Sequence, residues 1–415
     1  MAKQKRAGLG NVERRFYLRE NVKKILILFD ESRPVDSYPY VLNFIKLIHR
    51  KYKIDFLVSA KMYSEYCLEN LRLCKAAKSS YTKSAVHHLW KHGNEYSAVI
   101  AYSVEGVWAV CFHNIFRSKI PFAYFSMELY DIDKKCPGII SAALRLFGGL
   151  STDMLKFSVV QDQKRADIFR GYFPSASKIF LLPNSYIGYT NEKSDFACKK
   201  FNIPRDKKIL LYTGALEKWG YDINLAMYLN KLLEKDYVLL LSGFSRDGYT
   251  DVILSEYSDL IKTKKVIVNE QILDECEYTE LVKSAYIGLA WYVKLDRNLC
   301  SRAAFENIYY MGLSSGKLCK YLSCSVPVVA PSFYPGYKEI IEDKKIGKVC
   351  SYSEEMSEKI LEIASDYNYY RNNVENVYKN ELEYSKQAGS LTDELDRIIG
   401  DSRLSTLGDP RLWNN

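Results

Sequence analysis

The segment GLSSGKLCKYLSCSVPVVAP, residues 312–331, contains residue types that could bind an anion. Ser314 and Ser315 are good N-cap residues, and the apolar residues after them repeat at the spacing of one helix face. The first turn of such a helix offers unpaired N–H groups, which together with Lys317 would attract a phosphate. The alternative is an ordinary capped helix that packs on a sheet.

Two series of strands, each alternating with helix-length segments, must position this segment. The first runs through ILILFD, KIDFLVSA, SAVIAY, PFAYFSM, FSVVQD and KIFLLP. The second runs through KKILLYTG, YVLLLSG, KVIVNE, IGLAWY, VPVVAP and GKVCS. The pattern predicts an α/β chain with two doubly wound, Rossmann-like domains that face each other across a cleft. Ligands of such sheets bind at the carboxyl ends of the strands.

A polar stretch with little periodicity separates the two series and marks the predicted domain boundary. The predicted segments are a basic arm at 1–22, a first domain at 23–186, a linker at 187–205, a second domain at 206–380, and a C-terminal helix and tail at 381–415. The C-terminal helix is a candidate for crossing back to the first domain.

Composition and charge limit the classes of protein to consider. The chain has 415 residues, 47% of them hydrophobic, as in soluble globular proteins with two cores. Its ten cysteines and five histidines lack metal-ligand spacing, and no segment has the form of a signal peptide or a spanning helix, so we predict a cytoplasmic protein without a metal site.

The formal net charge of +9 is concentrated in the basic arm. Such an arm could contact anionic lipid or nucleic acid, or it could be a solvated terminus. We predict no nucleic-acid partner, because the rest of the chain is near charge balance and carries no nucleic-acid motif. The sequence also has no G-x-G-x-x-G and no G-x-x-x-x-G-K-[ST], which disfavours a classical dinucleotide fold and a P-loop ATPase.

Five motifs occur in a characteristic order in the second half: LLPNS, ILLYTGALEKWGYDINL, LLLSGF, ELVKSAYIGLAWY and GLSSGKLCKYLSCSVPVVA. Through them this half resembles the nucleotide-sugar domain of family four glycosyltransferases (glycosyl transferases group 1), which have the two-Rossmann GT-B fold. The first half is similar more loosely, through ILILFD, YFSMELYD and SVVQDQKRADIF.

The resemblance implies a retaining hexosyltransferase. A nucleoside diphosphate sugar would bind to the second domain, and a glycan or lipid-linked acceptor of cell-surface polysaccharide biosynthesis would bind to the first. No metal or other cofactor is expected, because basic side chains and a helix N-terminus neutralise the diphosphate.

The resemblance also assigns the donor site. Ser314, Ser315 and Gly316 would offer backbone donors, and Lys317 would place its charge at the departing phosphate. Lys218 would form a two-cation clamp with Lys317, unless it is a solvated loop lysine.

Two further parts of the donor site follow from the same motifs. Gly214 ends a predicted strand and would let the backbone approach the ligand closely. Gln271 and Ile272 lie in the loop expected to read the base.

The sequence departs from the family at two positions. The family commonly carries two glutamates eight residues apart, and the equivalent residues here are Gly312 and Lys320. Because the second glutamate normally meets the ribose, Lys320 is a candidate donor contact. The missing carboxylates support an alternative, a non-catalytic relative that binds a glycan or a protein partner through the cleft.

On the acceptor side, Glu128 and Ser126 stand at a predicted strand end. A carboxylate there could orient or deprotonate an acceptor hydroxyl, or it could be a surface acid or helix cap. Asp30, Glu31 and Arg33 follow the first strand and would line the same cleft.

The segment GIISAALRLFGGLSTDMLKF has two interpretations. It could mediate peripheral contact with the anionic inner face of the cell membrane, or it could be a helix buried against the first sheet.

Overall fold

The computed structural model of the chain comprises two compact units. It describes residues 22–30, 38–59, 68–77, 81–128, 152–172, 178–298, 302–351 and 355–406. The first unit takes in the described residues up to Val160, then Phe169–Phe180, and those from Ala388 onward. The second unit takes in Gln161–Ile168 and Leu181–Gln387. The domain boundaries drawn from the sequence stay a prediction.

The first sheet has seven strands in the order β3-β2-β1-β4-β5-β6-β7, and its neighbours from β3 to β6 run parallel. The strands are β1 Lys24–Phe29, β2 Lys53–Val58, β3 Leu71–Lys75, β4 Ala98–Ala101, β5 Phe122–Phe125, β6 Leu155–Val160 and β7 Ile179–Leu181. The central strands are apolar and buried almost throughout, as expected for parallel strands covered on both faces.

The sequence patterns predicted every strand of this sheet except β3. The segment LRLCK is short and largely solvent-exposed, and Leu73 keeps 48% of its surface accessible. An edge strand has only one neighbour and needs no continuous apolar run, so hydrophobic patterning gave no signal for it.

Among the described residues, four helices lie between consecutive strands of this sheet along the chain: α1 Pro39–Ile48, α2 Tyr81–His92, α3 Val104–Phe116 and α4 Gln163–Tyr172. Helix α1 buries most of its residues, and α3 begins at the N-cap Ser103, whose Oγ accepts a hydrogen bond from the Gly106 N–H at 3.1 Å.

The second sheet has six parallel strands in the order β10-β9-β8-β11-β12-β13. They are β8 Lys208–Ala215, β9 Tyr237–Phe244, β10 Val266–Asn269, β11 Ile287–Leu289, β12 Val328–Pro331 and β13 Gly347–Cys350. All six were predicted from the sequence, and with the first sheet they confirm the predicted fold class of two Rossmann-like α/β domains.

The helices of the second unit are mostly short. They are α5 Phe196–Phe201, α6 Leu225–Tyr228, α7 Asn230–Leu233, α8 Tyr249–Glu256, α9 Ser258–Lys262, α10 Glu275–Lys283, α11 Arg302–Tyr309, α12 Gly316–Ser323, α13 Pro335–Asp343, α14 Glu355–Ser365, α15 Tyr367–Val377 and α16 Tyr384–Gln387. A π-helical turn, Tyr378–Leu382, continues α15.

The last helix, α17 Gly389–Thr406, belongs to the first unit. Lys51 donates to the Asp396 carboxylate at 2.8 Å, and the Tyr52 hydroxyl donates to the same side chain. Glu394 pairs with Lys178 at 2.6 Å. The chain therefore enters the second unit and returns to the first before it ends.

Candidate functional site

Helix α12 begins at the residues that the sequence singled out. Ser315 is its N-cap: its buried Oγ accepts from the Leu318 N–H at 3.3 Å and from the Tyr337 hydroxyl at 2.8 Å. The N–H groups of Gly316 and Lys317 have no carbonyl one turn back within the helix, so they are available to an anion. We call Ser314–Lys317 the α12 start.

The sheet holds α12 through Tyr321. The Tyr321 hydroxyl donates to the Leu211 carbonyl at 2.9 Å and accepts from the Thr213 N–H at 3.0 Å, both on β8. Its ring lies so close to Gly288 that a Cβ there would come within 2.4 Å of it. The α12 start is therefore fixed at the carboxyl edge of the second sheet.

Lys317 is buried, with 8% of its surface exposed. Its Nζ donates to the Trp291 carbonyl at 3.1 Å and lies 3.9 and 4.0 Å from the ring centroids of Tyr212 and Tyr292. Burial lowers the pKa of Lys317 well below its ordinary value, while the two ring faces and the carbonyl favour the charged form. A bound anion would give this ammonium a charged partner.

Two glycines at the strand ends make room for Lys317. Gly214 has a φ of +122°, and a Cβ there would lie 3.3 Å from the Lys317 Cε. Gly243 stands opposite Gly214 on β9, where a Cβ would come within 1.7 Å of the Gly214 carbonyl oxygen. Only glycine fits this pair, and the structure brings the predicted residues Gly214 and Lys317 together.

Asn184 contacts the α12 start. Sequence reasoning did not predict this contact. Its N–H donates to the Leu313 carbonyl at 2.8 Å, and its Nδ2 donates to the Ser314 carbonyl at 3.2 Å. Within the described part of the chain, the buried atoms Asn184 Oδ1 and Ser314 Oγ have no hydrogen-bond partner. Unpaired buried polar atoms are costly, so they mark a place where a ligand or water would bind.

The loop that carries Lys218 is tied to β8. The Tyr212 hydroxyl lies 3.0 Å from the Ala215 carbonyl oxygen and 2.7 Å from that of Gly220, so it holds both ends of the loop. Lys218 itself is exposed. Its role as half of a cation clamp stays a prediction.

Beside Lys218 lies an ion pair that the sequence did not reveal. The buried Glu217 accepts from Arg246 Nε at 2.7 Å and from the Trp219 indole N–H. The Arg246 guanidinium lowers the pKa of the Glu217 carboxyl. Arg246 follows β9, and Glu217 fixes it at the carboxyl edge of the sheet.

The predicted base-reading loop follows β10. The Gln271 N–H donates to Asn269 Oδ1 at 3.3 Å, and Asn269 Nδ2 donates back to the Gln271 carbonyl at 3.3 Å. Ile272 exposes 70% of its surface. The roles of Gln271 and Ile272 in reading the base through the loop backbone stay predictions.

The two positions that lack glutamates are both enclosed. Lys320 is 4% exposed, and its Nζ donates to Thr279 Oγ1 at 2.7 Å and lies 4.4 Å from the Tyr186 ring centroid. At Gly312 a Cβ would lie 3.2 Å from the Gly336 carbonyl oxygen. The backbone of α13 thus crowds the first position, and the donor contact of Lys320 stays a prediction.

In the first unit, three predicted acceptor residues fall at the carboxyl edge of the sheet. The Ser126 N–H donates to the Val159 carbonyl at 2.9 Å, and its Oγ donates to the Glu128 carbonyl at 2.8 Å. Asp30 accepts from Ser59 Oγ at 3.0 Å. The roles of Ser126, Glu128 and Asp30 stay predictions.

Some sequence predictions fall on residues that the structure does not describe. They concern Glu31, Arg33, nearly all of the basic arm at 1–22, and the GIISAALRLFGGLS part of the membrane-contact segment.

Among the described residues, one group could hold a metal ion: the ligand atoms of Asp55, Cys74 and His88 lie within 4.8 Å of one another. Both Asp55 oxygens already accept hydrogen bonds from Arg72, and Lys24 Nζ lies 3.0 Å from one of them. These two cations lower the pKa of the Asp55 carboxyl and oppose a third positive charge, so we assign no metal here.

Comparison with solved structures identifies the fold. A crystal structure of Anabaena HepE in complex with UDP and glucose matches 90% of this chain and 100% of its own, with a TM-score of 0.66 and 12% identity. Sucrose-phosphate synthase from Thermosynechococcus elongatus matches 91% of this chain and 99% of its own, with a TM-score of 0.62 and 12% identity. WaaG, a glycosyltransferase involved in lipopolysaccharide biosynthesis, matches 88% and 98%, with a TM-score of 0.59 and 14% identity.

These matches show that the chain has the GT-B fold of glycosyltransferases, as the sequence resemblance implied. No protein-family model and no curated protein matches the sequence. Within the described ranges, no helix combines the length and apolar character needed to cross a bilayer.

Proposed function

We propose that the protein is a retaining glycosyltransferase that moves a hexose from a nucleoside diphosphate sugar to a glycan or lipid-linked acceptor in cell-surface polysaccharide biosynthesis. The observation that carries this proposal is the α12 start. Free helix N–H groups, two unpaired polar atoms and the caged Lys317 converge there on the carboxyl edge of the second sheet. An anion would accept from the helix N–H groups, the Ser314 hydroxyl and the Lys317 ammonium, while a sugar hydroxyl of the same donor molecule would donate to Asn184 Oδ1.

In the proposed reaction, the bond between the anomeric carbon and the phosphate oxygen breaks, and a bond from that carbon to the acceptor oxygen forms. The helix N–H groups and Lys317 would stabilise the charge that builds on the departing diphosphate. The acceptor proton goes to a base, for which Glu128 is our candidate. Because HepE was crystallised with UDP-glucose, a UDP-sugar is the first donor to test.

We propose that this chemistry proceeds without a metal ion or other cofactor, in the cytoplasm, at the inner face of the membrane where a lipid-linked acceptor would lie. The nucleotide-sugar donor and the acceptor are the partners that the proposal requires. Turnover should therefore be unchanged after treatment with EDTA. Restoration of lost activity by Mg²⁺ or Mn²⁺ would contradict the metal-free part of the proposal.

A non-catalytic glycan- or protein-binding role is the second candidate. It is favoured by Gly312 and Lys320, which put no carboxylate where the family commonly has two. Both residues fit their surroundings: the Gly336 backbone packs against Gly312, and Thr279 accepts a hydrogen bond from Lys320.

The first experiment is a thermal-shift screen with UDP, GDP, ADP, TDP and CMP on the wild type and on Lys317→Met. Lys235→Met is a matched control, because Lys235 is an exposed lysine at the opposite edge of the same sheet. We expect one nucleotide to raise the Tm of the wild type and the control but not that of Lys317→Met.

The responding nucleotide then identifies the sugar donors for a turnover assay. Release of the nucleoside diphosphate in the presence of acceptor extracts supports the transferase. A nucleotide response without turnover of any matching donor supports the non-catalytic role, and no response at all contradicts the proposed donor site.

A further inference from the structure

We propose that the first unit contains a second anion site, which binds a phosphate group in a pocket between α2 and the ends of β2 and β3. The pocket has a volume of about 420 Å³. Three lysines and three histidines line it: Lys75, Lys83, Lys91, His87, His88 and His92. We call it the basic pocket. It shares no residue with the α12 start, so the inference does not rest on the proposed function.

One face of α2 supplies a row of positive charge. Lys83, His87 and Lys91 follow one another at intervals of four residues, and all three are exposed. Lys75 joins them from the end of β3. Lys83 and Lys91 stand about two helical turns apart with His87 between them, so a single anion near His87 would be attracted by both lysines.

Among the described residues, none of those that line the pocket is acidic. Asp55 is paired with Arg72 and Lys24, and Glu95 is paired with Lys24 and with His92, which itself lines the pocket. In the part of the chain that the structure describes, Lys75, Lys83 and Lys91 form no ion pair. The charges of these three lysines are therefore not neutralised from within the described protein.

The start of α2 adds to this potential. Its first turn contains no acidic residue but does contain Lys83, at the end where the helix dipole is positive. Ser84, also in the pocket, accepts a hydrogen bond at its Oγ from the Ala77 N–H at 3.2 Å. A lysine in this position is stabilised by a bound anion rather than by the helix.

The histidines add polar atoms beside the lysines. His88 Nε2 lies 2.7 Å from the Tyr96 hydroxyl, and burial lowers the pKa of the His88 imidazole. The lysines therefore provide the charge at neutral pH. The pocket is large enough for a phosphorylated small molecule or for the phosphate headgroup of a lipid.

The test compares a triple variant, Lys83→Gln/His87→Gln/Lys91→Gln, with a control, Lys53→Gln/Lys235→Gln. All five side chains are exposed, and the control lysines precede β2 and β9 or start them, away from the pocket. One arm measures binding of inorganic pyrophosphate by calorimetry. The other measures co-sedimentation with phosphatidylcholine vesicles, with and without phosphatidylglycerol. Both variants keep the α12 start, so any difference between them reports the basic pocket.

We expect the triple variant to bind at least one probe about tenfold more weakly than the control does, because it loses two positive charges and one imidazole ring. A loss confined to pyrophosphate identifies a free phosphate ligand, and a loss confined to phosphatidylglycerol vesicles identifies a lipid headgroup. Equal binding by the two variants in both arms overturns the proposal. The nucleotide response of the triple variant should be that of the wild type, which separates this outcome from a failure of the donor site.

Discussion

The two units use lysine in opposite ways. In the second unit, Lys317 and Lys320 lie inside the fold, where their partners are a carbonyl, a hydroxyl and tyrosine rings. In the first unit, the lysines of the basic pocket stay exposed at its rim. The buried ammonium of Lys317 is held in one position at a cost to stability, whereas the exposed lysines keep their hydration and their freedom to move.

This difference predicts different ligands and different sensitivities. A caged lysine can meet only a group that arrives in a fixed geometry, so it selects for position as well as charge. An open row of lysines attracts any phosphate group, and salt screens that attraction. The predictions below test this difference between buried and exposed lysines, beginning with the largest expected effect.

The packing around Lys317 should not tolerate one added methyl group. We expect Gly243→Ala to lower the free energy of unfolding by about 2 kcal/mol, because the new Cβ collides with the Gly214 carbonyl. Urea denaturation measures this loss. Gly171→Ala is the control, since a Cβ there meets nothing within 4 Å. Equal unfolding midpoints for Gly243→Ala and the wild type would contradict the tight packing.

Replacing Lys317 should stabilise the fold while it removes the donor response. We expect Lys317→Met to raise the free energy of unfolding by about 1 kcal/mol at neutral pH, because the burial cost of the ammonium disappears. Lys83→Met, on the exposed row, should give no such gain.

The pH dependence of that gain has a definite sign. The folded protein has the lower pKa for Lys317, so the unfolded chain binds more protons between that pKa and about 10.5, and wild-type stability rises with pH across this window. The advantage of Lys317→Met should therefore shrink as the pH approaches 10.5. An advantage that grows with pH would show that the cage stabilises the charged lysine.

The smallest expected effect is a difference between the two sites in how strongly salt weakens anion binding. We expect pyrophosphate binding at the basic pocket to weaken roughly threefold between 50 and 200 mM salt, because exposed charges are screened over a Debye length of about 10 Å. Nucleotide binding at the α12 start should weaken less. Titrations of the wild type at the two salt concentrations measure both, and equal salt dependence would remove the distinction between buried and exposed lysines.

Hydrophobic patterning predicted most of the fold because the central strands of both sheets are buried on both faces. Capping chemistry likewise predicted that α12 starts at Ser314 or Ser315, and the N-cap is Ser315. These features depend on residues close together in the chain. Strand β3 escaped prediction because it lies at an edge and needs few apolar residues.

The surroundings of Lys317 could not be predicted, because they come from distant parts of the chain. Tyr212 lies on β8, Tyr292 comes after β11, and the lysine itself lies on α12. No local pattern says that two tyrosines so far apart in sequence will enclose one ammonium. The approach of Asn184 to Ser314 is equally non-local, although the LLPNS motif contained the signal.

The return of the chain to the first unit through α17 limits how the protein can be truncated. Because the first unit is assembled from both ends of the described chain, the second unit is an insertion within it. A stop codon after Gln387 would leave the second unit's own residues intact and remove from the first unit the helix that Lys51, Tyr52 and Lys178 hold. Expressing the main segment of the second unit alone therefore requires an internal fragment, 181–387, which leaves out the short stretch Gln161–Ile168, rather than a simple truncation.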